Sequence, residues 1–140
     1  MTQFVVDASV AAKWFLPEQH AAEARSLLVS THDLMAPDLI HSEFTNILLK
    51  LVRRAELSIL QACIAISRMP TLVRVSSVEP LMRSTLELAV RYDRSAYDAS
   101  YVALALRSSC QLVTADRKLF NALAHALPQT MLWIGDVAAE

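Results

Sequence analysis

Glycine is almost missing from this chain: Gly135 is the only one in 140 residues. A phosphate-cradling P-loop and a dinucleotide-binding fingerprint each need several glycines, so both are excluded. Turns must instead be made by Pro, Asp, Asn and Ser. Cysteine is scarce as well. Cys63 and Cys110 lack the paired spacing of a zinc site. Their apolar surroundings read as buried free thiols in a reducing cytoplasm rather than as a disulfide. His20, His32, His41 and His125 show no ligand spacing and read as surface or satisfied histidines. The two tryptophans, Trp14 and Trp133, read as core or interface residues, not as base-stacking platforms. No apolar run approaches the roughly 18 residues of a membrane span. The opening Met-Thr-Gln-Phe-Val-Val-Asp has no basic region before its apolar stretch, so it reads as a strand rather than a signal peptide.

What the chain does have is apolar bulk. Hydrophobic residues make up 54% and the mean hydropathy is +0.34, enough for a sizeable core and a surplus that suggests a protein partner or self-association. The length suits one domain over residues 1–140. A net charge of −1 and a pI near 6.4 exclude a generally basic nucleic-acid coat. They leave room for a nuclease, because an acidic metal site and local arginine clusters coexist at neutral net charge.

Strand and helix patterns alternate along the whole length. Residues 3–6 read as a buried strand, 9–16 as a short helix stopped by Pro17, and 18–29 as an amphipathic helix. A very short strand at 34–36 ends at Pro37. The longest helical pattern follows at 38–54, with Ile40, Phe44, Ile47, Leu48 and Leu51 on its apolar face and Glu43, Asn46, Lys50 and Arg53 on another stripe. Ser58 caps a helix to about Met69 that is apolar nearly all round, through Ile59, Leu60, Cys63, Ile64 and Ile66, as expected of a helix covered on more than one side. Then come a strand at 72–75, a helix to Tyr92 with Pro80 in its first turn, a helix at 95–108, a strand at 111–114, a helix from Asp116 to about Ala126 and a last short strand at 131–134. This order argues an α/β fold with a mainly parallel sheet. In such sheets the functional crevice lies beyond the carboxyl ends of the strands.

Four acids fall where that crevice would collect them. Asp7 and Asp116 each end or closely follow a buried-strand pattern; each also suits a helix cap, and the residues alone leave both roles open. Asp98 fits a capping box with Ser95, yet it is embedded among Ala96, Tyr97, Ala99, Tyr101 and Val102, where a carboxylate is costly unless paired or metal-bound. Glu43 lies mid-helix beyond any cap; alone it reads as a solvated glutamate. Gathered carboxylates repel by about 1 kcal/mol at 4 Å in water and several times more in a less polar site. A divalent cation removes that strain, and magnesium takes oxygen ligands while keeping waters and substrate phosphate among them. Ser9 and Thr114 either orient the acids or serve as cap and strand-end hydroxyls, and Asn46 shares the stripe of Glu43. Lys50, Arg53 and Arg54 suit either a phosphate backbone or a solvated helix end; Arg91, Arg94 and Arg117 flank the expected pocket. An HAD-like site needs Asp-x-Asp after the first strand, whereas Asp7 is followed by Ala8 and Ser9, and a receiver domain needs paired acids there.

The ordered set Val-Val-Asp7-Ala-Ser9-Val, Pro37 with Glu43 and Asn46, Tyr97-Asp98-Ala-Ser-Tyr101-Val-Ala-Leu-Ala and Leu-Val-Thr114-Ala-Asp116 resembles the PIN domain, closest to ribonuclease toxins of the VapC type. The resemblance implies a three-layer fold with a central sheet flanked by helices. It implies Asp7, Glu43, Asp98 and Asp116 as magnesium-binding acids (manganese being the other candidate), with Ser9, Asn46 and Thr114 in support. Asp93 is an extra acid near Asp98 that fits the motif less well. It further implies a cytoplasmic endoribonuclease acting on structured RNA such as tRNA or rRNA, a homodimer and a small antitoxin partner. The alternative is a non-catalytic PIN-like module that binds RNA or protein.

Overall fold

A computed structural model describes residues 1–29 and 31–138. Its centre is β1 (Thr2–Val6), paired in parallel with β2 (His32–Pro37) on one side and β4 (Gln111–Thr114) on the other. Strands β3 (Arg74–Ser76) and β5 (Met131–Trp133) close the edges, giving the order β3-β2-β1-β4-β5, parallel throughout. Val5, Val6, Ala36, Leu112 and Val113 are all fully buried. A parallel sheet covered on both faces reads as such continuous apolar runs, not as alternation.

Seven helices link the strands among the described residues: α1 (Ala8–Ala12), α2 (Ala21–Ser26), α3 (Ile40–Arg53), α4 (Ile59–Leu72), α5 (Met82–Tyr92), α6 (Ala96–Arg107) and α7 (Arg117–Leu123). The chain steps outward from β1 to β3, then returns past β1 to β4 and β5. Right-handed crossovers therefore put α1–α4 on one face and α5–α7 on the other. Helix α1 packs on α3 and α3 on α4, while α6 lies across β1, β2 and β4 beneath α5. The strand order reverses between β1 and β4, so a crevice opens beyond their carboxyl ends.

Several expected elements differ in extent. The helices expected over 9–16 and 18–29 shrink to Ala8–Ala12 and Ala21–Ser26. The indole of Trp14 donates to the carbonyl of Ala24 at 2.9 Å, and His20 enters α2 in the left-handed region at φ 65°. A tertiary tie and a strained entry thus break what the periodicity joins. Helix α4 starts as expected, with a reciprocal capping box between Ser58 and Gln61, but runs past Met69 through Pro70 to Leu72. Pro70 lacks the N–H that would bond Ile66 and its ring crowds that carbonyl, and the helix ends two residues later.

The larger correction concerns the faces of α4. Only Ala62, Ala65 and Met69 are buried in it, while Ile59 and Leu60 are 64% and 74% exposed and Ile64 and Ile66 point outward too. Among the described residues the helix is covered on one side alone. Cys63 shares the outward face and is an exposed thiol, not a buried one. A second apolar stripe, Met82, Leu86 and Val90 at a spacing of four, is exposed on α5. No helix among the described residues is long and apolar enough to cross a membrane.

Candidate active site

Asp7 is the first residue beyond β1, next to Thr114 at the end of β4 because Val6 pairs with Val113. It is buried, and every hydrogen bond it accepts serves to hold it still. The hydroxyls of Ser9 and Thr114 donate to its two oxygens, and the Val10 N–H donates at 3.1 Å. Asp7 therefore caps α1 and faces the crevice at once. The supporting hydroxyls are themselves tied: Ser9 Oγ accepts from the Ala115 N–H at 3.2 Å and Thr114 Oγ1 from the Asp116 N–H at 3.0 Å.

The other acids arrive from three helices. Asp116 caps α7 by accepting from the Leu119 N–H at 3.2 Å. Ser95 caps α6, accepting from the Asp98 N–H at 3.0 Å. Among the described residues the return bond from the Ser95 N–H that would close a capping box is absent, and Asp98 lines the pocket. Glu43 projects from α3 and accepts a 2.6 Å hydrogen bond from the hydroxyl of Tyr101 on α6. Together Asp7, Glu43, Asp98 and Asp116, with Ser9, Asn46 and Lys50, line one pocket of about 260 Å³. Thr114 stands behind it, reaching the pocket through Asp7.

Not every expected neighbour is there. Arg91 lines a separate groove of about 680 Å³ between α5 and α6 together with Glu87 and Arg107. Arg53 and Arg54 end α3 in solvent. Asp93 ends α5 in the left-handed region at φ 52° and does not line the pocket. None of the four histidines lines it either. Tyr101 is the residue that sequence reasoning missed: a tyrosine in an apolar helix reads as core, and it is buried. The available signal was its spacing of three from Asp98, which puts both on one helix face.

Burial dominates the electrostatics of the acids. Burial pushes the Asp7 carboxyl up to about 6; the bonds from Ser9, Thr114 and Val10 pull the other way, and the negative charge of Asp116 adds to the rise. Burial also raises Glu43, offset by the Tyr101 hydroxyl and reinforced by Asp98. Asp98 is raised by burial and by Asp116, against which the Ser95 hydroxyl and then Arg94 act. Burial, then the Glu43 carboxylate, keeps Tyr101 protonated as a donor.

The donor set consists of oxygen atoms, the chemistry of a hard divalent cation. Among the described residues, no three acids converge closely enough to enclose an ion by themselves. The pocket instead suits a cation held by a few carboxylates and completed by water and substrate oxygens, as magnesium prefers.

Comparison with known proteins bears on what such a pocket serves. A PIN-domain family model matches residues 4–126. Ribonuclease VapC3 of Pyrobaculum aerophilum is 31% identical over 120 residues, covering 84% of this chain and 92% of that protein. Ribonuclease VapC9 of Mycobacterium tuberculosis is 35% identical over 129 residues, covering 91% and 97%. Among solved structures, Mycobacterium tuberculosis VapC20, described as a sarcin-ricin loop cleaving toxin, aligns at a TM-score of 0.64 and 25% identity over 86% of this chain and 95% of its own. The chain belongs to the PIN-domain family and, within it, to the VapC ribonucleases.

Proposed function

We propose that the protein is a divalent-cation-dependent endoribonuclease, the toxin of a toxin–antitoxin pair, which hydrolyses phosphodiester bonds in structured RNA. One observation carries the reading: four carboxylates from four separate elements line a single pocket at the point where the sheet's strand order reverses. The names of the related ribonucleases support the reaction, and the description of VapC20 supports a structured RNA substrate of the tRNA or rRNA kind.

In this reading Asp7, Glu43, Asp98 and Asp116 hold magnesium, or manganese, directly or through water. When bound, the cation polarises the phosphoryl oxygen and makes a nucleophile available near neutral pH. The chain's own part is positioning. Ser9 and Thr114 fix both oxygens of Asp7, and Tyr101 fixes Glu43. Asn46, one helix turn from Glu43, supports that side of the pocket, and Lys50, a further turn along α3, offers a positive charge to a substrate phosphate. The outward apolar side chains of α4 and α5 support a homodimer and a small antitoxin, which would bury them.

Purified protein incubated with total cellular RNA tests the reading. Cleavage is expected with magnesium, is abolished by EDTA and is lost in Asp7→Asn. Equal cleavage by the variant and the wild type overturns it. Growth arrest on expression, relieved by that substitution or by a co-expressed neighbouring gene, is the expected mark of a toxin.

A further inference from the structure

The acids do not account for how an RNA strand is oriented over the pocket. Beside them lies a stack that the site described above does not use. Trp133 ends β5 in register with Thr114, about one strand spacing of 5 Å away. Arg117 is the residue after Asp116, in the first turn of α7. Its guanidinium carbon sits over the Trp133 ring, 3.7 Å from the centroid, a close cation–π contact. The indole is wedged from its other sides. Phe120 packs at 5.9 Å and His20 meets it edge-on at 6.0 Å and 83°. A Cβ at Gly135 would come within 2.7 Å of its Nε1. The chain's one glycine therefore sits where the backbone passes flush against this ring.

Trp133 is thus half-buried, and it is Arg117 that remains exposed. The guanidinium carbon lies over an indole packed from several sides, and Arg117 keeps exposed surface one residue from a pocket acid. Unpaired RNA bases are recognised by stacking on aromatic rings or on arginine planes. A guanidinium already stacked has lost its rotamer freedom before the base arrives.

We infer that Arg117, backed by Trp133, is the platform on which an unpaired nucleobase stacks next to the phosphate held over the acids. This rests on the ribonuclease reading above and adds a substrate feature to it: the strand is single-stranded at the cut, with one neighbouring base splayed onto the arginine. Because every base has a π face, the contact selects for an unpaired base more than for its identity.

The test uses the full chain and single-stranded RNA dodecamers, each carrying one 2-aminopurine at a successive position, with calcium replacing magnesium for binding. One position is expected to brighten on binding, as its base leaves the stack of its neighbours. Arg117→Lys keeps the charge but loses the plane; it is expected to remove that brightening, weaken binding by about tenfold, and in magnesium raise KM with kcat little changed. Trp133→Phe keeps a smaller ring beneath the guanidinium and should fall between lysine variant and wild type. Arg117→Lys with unchanged melting temperature, wild-type affinity and wild-type brightening overturns the platform while leaving the nuclease intact. Wild-type protein that neither binds nor cleaves RNA overturns the ribonuclease reading and the platform with it.

Discussion

Two aspartates of the same sheet are treated in opposite ways. Asp33 lies near the amino end of β2 with its carboxylate 2.7 Å from the guanidinium of Arg74 on β3, and the Gln3 amide donates to it as well. The hydrogen-bonded Arg74 holds its carboxyl below the ordinary value. Asp7 lies past the carboxyl end of β1, buried, with its carboxyl pushed up to about 6 and, among the described residues, no cation in ion-pair reach. The fold can neutralise a sheet carboxylate with an arginine and does so where only structure is at stake. At the other end it gathers four acids and gives them hydroxyls and N–H groups. Burying an unmatched carboxylate opposes folding. Asp7 therefore carries a cost that Asp33 does not, one that a proton or a bound cation would relieve.

Replacing Asp7 is the most direct way to break this contrast. Asp7→Asn should lower cleavage by about a thousandfold or more, since the acid is asked to hold an ion whose contribution is several kcal/mol. The metal-free variant should nonetheless melt at a higher temperature than the wild type. A carboxyl raised from 3.8 to about 6 opposes folding at neutral pH by up to roughly 3 kcal/mol. The amide removes that opposition, less the acceptor capacity it loses toward Ser9, Val10 and Thr114. Parallel thermal melts in EDTA decide it: a lower melting temperature for the variant would show that Asp7 is a structural cap and nothing more.

Tyr101→Phe sharpens the contrast without touching a charge. Among the described residues the buried phenol gives Glu43 its one hydrogen bond from another helix. Losing a group that orients a ligand typically lowers metal affinity or activity by about ten- to a hundredfold. Magnesium titrations of cleavage by this variant should show a weaker apparent affinity, and extra magnesium should restore part of the rate. An unaltered titration would make Tyr101 a core residue with an incidental contact.

These residues also mark where the sequence was readable. The five strands and the parallel order were legible because buried parallel strands are short apolar runs between proline, serine and aspartate signals. The caps at Ser58, Ser95 and Asp116 were legible because a cap is a local interaction. The four acids were legible as an ordered set, and the pocket they line could be expected from the strand ends that Asp7 and Asp116 follow. What remained hidden depends on contacts between distant segments. Trp14 shortens two helices by bonding across to Ala24. Tyr101 reaches Glu43 over 58 positions. Arg117 finds Trp133 on the next strand, with no periodicity to link them. The outward face of α4 was misread because apolar side chains all round a helix look alike whether this chain or another one covers them.

Acidity should act on the two aspartates with opposite sign. Asp7 binds a proton more tightly folded than unfolded, so between its unfolded value of 3.8 and about 6 its contribution weakens the metal-free fold as pH rises. The same proton competes with the cation, so magnesium-dependent cleavage should fall as pH drops through about 6. Melts in EDTA from pH 4.5 to 7.5 should show that loss of stability with rising pH, and Asp7→Asn should flatten it. A wild-type profile matching that of the variant would remove Asp7 as the source.

Asp33 gives the smallest and most diagnostic effect. Its carboxyl is lowered by Arg74, so the pair stabilises the fold above the ordinary carboxylate range and loses that contribution as pH falls through the depressed value. Arg74 is about half exposed, and pairs of that kind are worth under about 1 kcal/mol and are screened by salt. Asp33→Asn should therefore lower the melting temperature slightly at low salt, less at high salt, and leave cleavage and its magnesium dependence unchanged. If it damaged cleavage as Asp7→Asn is expected to, proximity to the sheet rather than membership of the pocket would govern the effect of losing an acid, and the division between the two ends of the sheet would not hold.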